Sequence, residues 1–474
     1  MKLFSAALAA IFLSLGNAVA ASVSPAPSSA AAPAAPLCAD SLADVPFSQL
    51  QSVRLDLIER AQAPQKIQIL AYILNDDASG FELLQHLVRA AQRGVSVQLL
   101  ADGIGPGVSL PLSQELIAAI QTLAPQFEIR IFNPKYRLLS LRNRMHDKLF
   151  LVGDDAVIGS SSTWDPSVRG GLIEKDILVR GTPAPASVLG AMHAHFQQFW
   201  QASQSVPQTP LQAAGWNDAS QIYRTGAPAS SLDSAALARY VSLLRDGQFA
   251  PPNRGHSTLL GEIPDQAACP RLTYIHDTPQ KKSAGGTLEQ IVQMLRSAKK
   301  EIVIVSPYVI LVPEIREVLN AKIKNDGVHV VLLTTSITSM SAEFPAIGKA
   351  YSDDLPGLAK DHFEVREFHG GQGDPMLHSK IIRIDGQTFF VGSFNFDPLS
   401  ALTNTENGLW IETSDAAASP FINQLNQEIA GYLAASTLIA DGAGNLLVDD
   451  PARCDRANCS GLFRMLTPAI RNLL

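Results

Sequence analysis

The sequence predicts an α/β protein built from two similar domains, and three observations lead to this prediction. Segments with the alternating pattern of strands and segments with helical periodicity follow one another along the 474-residue chain. Their order in the first half recurs in the second. A histidine followed two residues later by a lysine occurs at an equivalent place in each half. Strands that alternate with helices are typical of parallel pairing, so we expect a mixed, largely parallel sheet flanked by helices in each half.

The individual elements follow one order in both halves. In the first half, we predict a helix at 47–63, a strand at 67–73, a helix at 80–93, a strand at 95–101, a helix at 113–123 and a strand at 127–132. In the second half, we predict a helix at 287–298, a strand at 302–305, a helix at 313–325 and strands at 328–335 and 363–368. Sequence echoes keep the same register: RGVSVQLLADG at 93–103 parallels DGVHVVLLTTS at 326–336, and Tyr72 parallels Tyr308. The chain therefore has the pattern of an internal duplication.

The N-terminus has the pattern of a secretory signal. Lys2 precedes an apolar run at 3–15, and Ala18 and Ala20 form a small-x-small cleavage site. The apolar run is short for a membrane span, and an uncleaved anchor is the alternative. The stretch that follows is rich in alanine, proline and serine, as flexible tethers are. The predicted organisation is a signal peptide at 1–20, a disordered linker at 21–40, a first domain at 41–207, an inter-domain connection at 208–270, a second domain at 271–440 and a tail at 441–474.

The composition is that of a folded protein with a large core. Hydrophobic residues make up 46% of the chain and charged residues 17%. The formal net charge of −7 argues against a nucleic-acid partner, because such binding favours a basic balance. Four cysteines in an exported chain fit two disulfides. Cys454 and Cys459 are near neighbours in the sequence and are expected to pair with each other. The remaining two, Cys38 and Cys269, would then form the second disulfide. A metal site is the alternative, although no histidine accompanies these cysteines at ligand spacing.

The second copy of the repeated motif opens the stretch LHSKIIRIDGQTFFVGSFNFDPLS at 377–400. It contains His378, Lys380 and Asp385, and the Asp-Gly pair after an apolar run is typical of a hairpin turn. The hairpin strands are predicted at 381–384 and 388–391. Residues two apart in a strand face the same side, so His378 and Lys380 point at one spot. An imidazole beside a fixed cation is suited to holding an anionic phosphate.

The first copy, MHDKLFLVGDDAVIGSSS, occupies 145–162. His146 and Lys148 repeat the spacing and are again followed by a predicted hairpin and a Gly-Ser pair. Downstream, Glu174 and Glu406 lie at equivalent places on predicted strands. Two copies at equivalent places in a duplicated fold favour a functional site over a chance pattern.

Paired histidines explain why the motif is duplicated, since phosphodiester chemistry needs two of them. One neutral histidine attacks phosphorus and forms a phosphohistidine, and a second, protonated histidine donates a proton to the leaving alkoxide. The two lysines neutralise charge on the non-bridging oxygens. The glutamates accept hydrogen bonds from the histidines and orient them. Further phosphate-binding or supporting side chains are predicted at Ser160, Ser162, Ser393 and Asn395. The scheme requires no metal and no cofactor.

The paired motifs resemble those of the phospholipase D superfamily, in particular its bacterial cardiolipin synthases of the C type. The resemblance covers roughly 47–436. It is carried by NRMHDKLFLV at 143–152, GSFNFDPLSALTNTENG at 392–408 and SPY at 306–308, with AYILNDDASG at 71–80 and DTPQK at 277–281 in addition.

This resemblance implies two phospholipase-D-like domains related by a pseudo-two-fold axis, with one active site at their interface. It implies a monomer, because both motifs lie in one chain, acting on phospholipids at a membrane surface. The expected reaction is phosphatidyl transfer through a phosphohistidine, giving cardiolipin from phosphatidylglycerol and a second phospholipid. By the usual family assignment His146 is the nucleophile and His378 the acid, and the reverse stays open. The expected location is the periplasm, or the surface of a membrane that faces it.

Other readings of the same motifs are a hydrolytic phospholipase D, a nuclease of the superfamily, and a catalytically impaired lipid- or partner-binding protein. The nuclease is disfavoured by the acidic balance. The impaired protein is suggested by departures from the family pattern. The motif's aspartate falls at Gly153, so either Asp154, one residue later, takes its catalytic place or the position is lost. The expected asparagine is Ser162, and Leu399 stands where the family usually has arginine.

Two further groups of residues lie near the motifs or share their residue types. Basic residues among apolar ones just before His146 suit either a lipid head-group surface or a solvated loop. These basic residues are Lys135, Arg137, Arg142 and Arg144. His193 and His195 lie in a predicted helix that ends at Trp200, and we expect them to pack in the fold rather than bind a metal.

Overall fold

A computed structural model describes most of the chain. The described residues are 40–74, 78–103, 112–133, 143–161, 171–181, 184, 186–207, 232–247, 249, 270–281, 285–343, 345–369, 375–415 and 419–448. The predicted signal, Ser162, the four cysteines and the basic residues Lys135, Arg137 and Arg142 lie outside these ranges. Within them, the structure contains no helix with the length and apolar character needed to cross a membrane.

The first half forms one eight-stranded sheet. Its strands are β1 (Asp40–Val45), β2 (Lys66–Ala71), β3 (Ser96–Asp102), β4 (Phe127–Phe132), β5 (Leu149–Val152), β6 (Asp155–Gly159), β8 (Asp176–Gly181) and β9 (Ser205–Pro207). The helices are α1 (Leu50–Arg60), α2 (Ala78–Gln92), α3 (Gln114–Leu123), α4 (Val188–Gln201) and α5 (Ser234–Asp246), with a short 3₁₀ helix at Phe47–Gln49. The order across the sheet is β1-β8-β6-β5-β2-β3-β4-β9. A short strand, β7 (Leu172–Ile173), lies outside it.

The second half repeats this arrangement position by position. Its strands are β10 (Arg271–His276), β11 (Glu301–Val305), β12 (His329–Thr335), β13 (Glu364–Phe368), β14 (Met376–Leu377), β15 (Ile381–Ile384), β16 (Thr388–Gly392), β17 (Asn407–Glu412) and β18 (Ser436–Asp441). Its helices are α6 (Thr287–Arg296), α7 (Pro313–Asp326), α8 (Ile337–Glu343), α9 (Pro345–Lys360), α10 (Pro398–Leu402) and α11 (Pro420–Ala434). The sheet order is β10-β17-β16-β15-β11-β12-β13-β18, the same pattern as in the first half.

The α/β fold with two similar domains is confirmed, but the sheets are less parallel than the sequence suggested. In each sheet two of the seven neighbouring pairs are parallel, namely those within β2-β3-β4 and within β11-β12-β13. These strands are connected through helices. The repeated motif instead forms the hairpins β5–β6 and β15–β16, and hairpin strands pair antiparallel.

The two sheets face each other across one buried core. Helices α1 to α3 cover the outer face of the first sheet, and α6 to α9 cover that of the second. The inner faces pack together with α4 and α11, where Leu70, Phe196, Val303 and Ile422 are buried in a single cluster. Burying one such side chain stabilises the fold by about 1.5–3 kcal/mol. This shared core holds the two halves in a fixed relation.

Strand pairing places both motifs at the same edge of the structure. Leu149, which follows the first motif, pairs with Leu70 near the end of β2. Ile381, which follows the second motif, pairs with Val305 at the end of β11. Each motif therefore lies where a parallel strand ends, the usual place for a binding site in an α/β sheet.

Candidate active site

Backbone contacts cross between the halves and bring the two motifs together. Met145 forms a parallel bridge with Thr405, and the backbone N–H of His146 donates to the Thr405 carbonyl at 3.1 Å. At the equivalent place β14 pairs with β7, and the N–H of His378 donates to the carbonyl of Ile173 at 2.8 Å. Thr405 directly precedes Glu406, and Ile173 directly precedes Glu174. Each histidine is therefore placed next to a glutamate of the other half.

The crossing creates two histidine–glutamate dyads, each shared between the halves. Nδ1 of His146 lies 2.8 Å from Oε2 of Glu406, and Nδ1 of His378 lies 2.7 Å from Oε1 of Glu174. The sequence indicated that the glutamates orient the histidines, but not which glutamate serves which histidine. With Nδ1 engaged in this way, Nε2 of His146 is the nitrogen left for chemistry, whereas Nε2 of His378 lies 3.2 Å from Nζ of Lys380.

The two lysines lie beside the dyads and are buried. Nζ of Lys148 donates to the carbonyl of His146 at 2.9 Å, and Nζ of Lys380 donates to the carbonyl of His378 at 2.6 Å. Burial lowers the pKa of Lys148 to about 8, with Glu406 opposing the shift. Each ammonium is therefore held on the same side of the chain as its histidine, although both residues of each motif precede the strands β5 and β15 rather than lying in them.

The first dyad holds a neutral histidine and an ionised glutamate at neutral pH. Burial lowers the pKa of His146 to about 4, although Glu406 opposes the shift. Burial alone would raise the pKa of Glu406, but the attraction of His146 and Lys148 and a hydrogen bond from Ser393 hold it below its ordinary value. His146 therefore donates from Nδ1 to a carboxylate and presents the lone pair of Nε2, as a nucleophile must.

The second dyad holds one more proton than the first. Burial raises the pKa of Glu174 to about 8, with Lys380 opposing and Asp176 reinforcing the shift. Burial lowers the pKa of His378 well below its ordinary value, and Lys380, Lys148 and His146 reinforce this. The extra proton rests on Glu174, within hydrogen-bond reach of His378. A proton stored beside the imidazole is what a general acid would need.

The predicted supporting residues have different roles in the structure. The hydroxyl of Ser393 donates to Oε2 of Glu406 at 2.5 Å and accepts the N–H of Asn407 at 2.9 Å. The hydroxyl of Ser160 accepts the backbone N–H of Lys175 at 2.7 Å. Asn395 is buried, and its N–H donates to the hydroxyl of Ser400. The hydroxyl of Ser393 therefore orients a glutamate of a dyad, and that of Ser160 holds the backbone at Lys175. Both hydroxyls form these hydrogen bonds with protein groups.

Asp385, predicted to be catalytic, lies in the turn between β15 and β16. Its carboxylate accepts the backbone N–H groups of Lys299, Lys300 and Glu301 at 2.8 to 2.9 Å. At about 3.3 Å per strand residue, it lies roughly 16 Å along the chain from Lys380. The catalytic assignment of Asp385 is therefore corrected: its carboxylate fixes the turn to the start of β11.

The first copy supports its turn without an aspartate. Asp154 is exposed and projects from the turn, so its catalytic assignment is also corrected. Gly153 has φ of +56°, and a Cβ there would come 2.5 Å from Nε2 of Gln65. Oε1 of Gln65 accepts the N–H of Gln62 at 2.9 Å, so Gln65 fills the space beside Gly153 and supports this loop. The departure from the family pattern at Gly153 thus alters a turn and leaves the dyads intact.

Sequence reasoning missed Asp102, which fixes the chain before His146. Oδ2 of Asp102 accepts the N–H of Met145 at 2.7 Å, and Oδ1 lies 3.3 Å from Nη1 of Arg144. Arg144 is only 3% exposed, so neither a head-group surface nor a solvated loop describes it. The sequence signal that could have identified Asp102 is its position in the internal repeat. Asp102 lies near the end of the repeated strand, at the position that Thr335 occupies in the second half.

Asp277, the first residue of the DTPQK segment, fixes the chain around Glu406. Its Oδ2 accepts the N–H of Glu406 at 3.0 Å, and its own N–H donates to the Glu406 carbonyl at 2.9 Å. Nζ of Lys281 donates to the same Oδ2 at 2.7 Å. The sequence marks this segment only by its resemblance to the family, and its physical role is to hold a dyad member in place.

The echoed tyrosines pack on the two histidines. The ring of Tyr72 meets that of His146 edge-on at 4.7 Å, and the ring of Tyr308 meets that of His378 edge-on at 6.3 Å. Nζ of Lys148 lies 5.4 Å from the centroid of the Tyr72 ring, in range of a cation–π interaction. Both rings restrict the imidazoles and exclude water from one side of them.

Two dyads and two lysines at the interface of a duplicated α/β fold define a phosphodiester-processing enzyme of the phospholipase D type. The comparisons with known proteins agree. The family described as "Cardiolipin synthase, PLD-like domain" matches residues 55–200 and 291–430, more than half of the chain. The chain belongs to this family and is an enzyme of the phospholipase D superfamily.

Named relatives and one solved structure extend this result. Cardiolipin synthase C of Escherichia coli (strain K12) is 28% identical over 401 residues, which cover 77% of this chain and 80% of that protein. Cardiolipin synthase B of Salmonella typhi is 28% identical over 360 residues, which cover 74% and 71%. The crystal structure of phosphatidylserine synthase from Haemophilus influenzae matches with a TM-score of 0.63 at 14% identity, covering 92% of this chain and 95% of that one. The last match concerns the fold alone.

Proposed function

We propose that this enzyme transfers a phosphatidyl group from one membrane phospholipid to another through a phosphohistidine on His146, forming cardiolipin with phosphatidylglycerol as acceptor. The observation that carries the proposal is the geometry of the two crossed dyads, each with a buried lysine beside it. One presents a nucleophilic imidazole and the other holds the proton that a departing alcohol needs. The names of the bacterial cardiolipin synthases among its relatives support this choice of substrates.

In the first step, Nε2 of His146 attacks phosphorus and the bond to the head-group oxygen breaks. The second dyad protonates that oxygen through His378, and the head-group alcohol departs. Lys148 and Lys380 neutralise the non-bridging oxygens throughout. In the second step, the hydroxyl of phosphatidylglycerol attacks phosphorus, His378 takes its proton, and the bond to His146 breaks. The product is cardiolipin, and both dyads return to their starting protonation.

A lipid assay tests this proposal. Purified protein is incubated with vesicles of labelled phosphatidylglycerol, with and without phosphatidylethanolamine, and the lipids are separated. Cardiolipin as the labelled product supports the proposal, whereas phosphatidic acid alone would make the protein a hydrolytic phospholipase D. If neither product forms and no phosphoenzyme can be trapped with a radiolabelled phosphodiester, the enzymatic proposal is wrong.

We also propose that the chain is exported and works as a monomer on phospholipids at a membrane surface facing the periplasm. The signal pattern at 1–20 and the even number of cysteines support this location. Mass spectrometry of the protein produced with its leader, under non-reducing conditions, checks it. An uncut leader together with four free thiols would count against export.

A further inference from the structure

A clamp on the backbone of Lys148 lies behind the active site. Oδ1 of Asn407 accepts the N–H of Lys148 at 2.9 Å, and Nδ2 of Asn407 donates to the carbonyl of Lys148 at 3.2 Å. One amide thus holds the peptide groups on both sides of this residue. Because the side chain of Lys148 leaves the backbone between these two bonds, the clamp sets the direction in which the ammonium points.

The clamp is itself held by Tyr274. Nδ2 of Asn407 donates its second hydrogen to the hydroxyl of Tyr274 at 3.0 Å. The tyrosine oxygen is an acceptor in that bond, so its own hydrogen is donated to Nδ1 of His195, 2.5 Å away. His195 must then carry its proton on Nε2, which lies 3.3 Å from Oδ1 of Asp147.

These residues lead back to the chain beside Lys148, because Asp147 directly precedes it; Nε2 of His195 and Oδ1 of Asp147 are close but form no hydrogen bond in this structure. We call the side chains of Asp147, His195, Tyr274 and Asn407 the clamp ring. Each of them is at most 8% exposed. The hydroxyl of Thr405 donates to the other oxygen of Asp147, and the ring of His276 stacks on that of His195 at 4.3 Å. A buried polar group is expensive to leave unpaired, so removing one member disturbs its neighbours in the ring.

The duplicated fold provides a comparison, since the clamp ring has different chemistry at the equivalent positions of the other half. Gly159 pairs with Asp176 in the first half, and at the equivalent place Gly392 pairs with Gly408 in the second. The residues that directly precede Asp176 and Gly408, namely Lys175 and Asn407, are therefore counterparts. The same register makes Asp44 the counterpart of Tyr274. There Nζ of Lys175 forms ion pairs with Asp44 and Glu428. An ammonium has no acceptor, so Lys175 cannot receive a backbone N–H as Asn407 does.

We propose that Tyr274 is a positioning residue of the active site, which acts through Asn407 to fix the Lys148 ammonium where it binds the non-bridging phosphate oxygens. The proposal rests on the proposed function only in taking Lys148 as a phosphate ligand. Tyr274 itself touches no reacting atom. It belongs to the second half but controls the lysine of the first, and the second half's own lysine is supported by other contacts.

The first test measures the position of Lys148 without any turnover. Wild type and Tyr274→Phe are labelled with trace acetic anhydride, and each lysine is quantified by mass spectrometry. We expect Lys148 to react about tenfold faster in the variant, because loss of the hydroxyl loosens the clamp, while Lys380 in the same molecule is unchanged. Equal reactivity of Lys148 in both proteins, or an equal rise at both lysines, would overturn the proposal.

The matched control is Tyr351→Phe, which deletes another buried tyrosine hydroxyl. That hydroxyl donates to Oε1 of Glu367 at 2.9 Å, and Tyr351 lies in the core cluster on the outer face of the second sheet. We expect wild-type labelling at both lysines in this variant. If it exposes Lys148 as much as Tyr274→Phe does, the effect is a general loosening and the proposal fails. Asn407→Asp provides a second variant, since it keeps Oδ1 but removes both Nδ2 donations.

The second test uses the soluble substrate bis(4-nitrophenyl) phosphate, so that it does not depend on the lipid specificity proposed above. We expect Tyr274→Phe to lower kcat about tenfold or more with little change in KM, because a displaced cation binds the transition state less well. The double variant Tyr274→Phe with Asn407→Ala should be no slower than Asn407→Ala alone. Additive losses would show that Tyr274 does not act through Asn407.

Discussion

The two histidine–glutamate dyads have the same geometry but different surroundings. Glu406 receives a hydroxyl hydrogen bond from Ser393, and its anionic form is favoured by His146 and Lys148. Glu174 has the carboxylate of Asp176 nearby, which raises its pKa, whereas the position equivalent to Asp176 beside Glu406 is Gly408. Duplication therefore supplied two equivalent places for a histidine, and the differing neighbours shift the pKa values of the two glutamates in opposite directions, which suits the proposed roles of nucleophile and acid.

Exchanging each histidine for alanine gives the largest effect and tests this division directly. We expect His146→Ala to lower turnover by about 10,000-fold or more on any phosphodiester, because no phosphohistidine can form. We expect His378→Ala to lose about 100 to 10,000-fold on lipids. With bis(4-nitrophenyl) phosphate, whose leaving group needs no proton, it should still release one nitrophenolate per enzyme and accumulate a phosphoenzyme. Rapid quench and phosphopeptide mapping measure this. A phosphoenzyme trapped in His146→Ala instead would reverse the roles.

The pH dependence of kcat gives a smaller effect and reports the extra proton of the second dyad. His146 must be neutral, so the rate rises as pH increases through about 4. Lys148 must be charged and the second dyad must keep its proton, so the rate falls as pH increases through about 8. Since the rate requires the protons of both Lys148 and the second dyad, the alkaline fall should approach the square of the proton concentration.

In Glu174→Gln that alkaline fall should become first order in protons, from a lower plateau, because the glutamine cannot titrate. Glu406→Gln is the matched control, since Glu406 is already ionised across this range, and it should keep the steep fall. Stopped assays on vesicles from pH 3.5 to about 9.5 distinguish the two outcomes. If the alkaline fall of kcat in Glu174→Gln stays as steep as in the wild type, Glu174 does not hold the extra proton.

The smallest expected effect on catalysis comes from the aspartates of the two motif copies. Asp385→Ala should lower the free energy of unfolding by about 1–3 kcal/mol, since three backbone N–H groups lose their acceptor and alanine is disfavoured at φ of +53°. It should leave kcat near the wild-type value. Asp154→Ala, at an exposed turn position, should change stability by less than about 0.5 kcal/mol. Urea unfolding provides the measurement. If Asp385→Ala lowers kcat as much as His378→Ala does, Asp385 takes part in catalysis after all.

Much of the fold could be predicted, because helical and strand periodicity is strong wherever both faces of the sheet are covered. The strand at Phe127–Phe132 and the hairpin around Asp385 were found almost residue for residue. Helix α9 was missed because Gly348, Pro356 and Gly357 interrupt its pattern. The edge strand β1, DSLADV, was missed because its polar residues do not alternate clearly with apolar ones.

The site was predicted as a set of residues but not as an arrangement. Spacing alone placed His378 and Lys380 on one side of a strand. No spacing shows that Glu174 contacts His378, since their contact spans 204 positions of sequence and depends on how two sheets pack. The clamp ring was beyond the sequence for the same reason, because Tyr274 and His195 come from different halves and neither lies in a recognisable motif.

The crossed dyads make activity a late event in folding. A half that folded alone would have its own eight-stranded sheet and hairpin, yet its histidine would lack the glutamate that orients it. The catalytic unit comes into existence only when the inner faces of the two sheets have met. During refolding, the formation of secondary structure therefore precedes the appearance of activity. A newly made chain is inactive until its second half has been synthesised and has packed against the first.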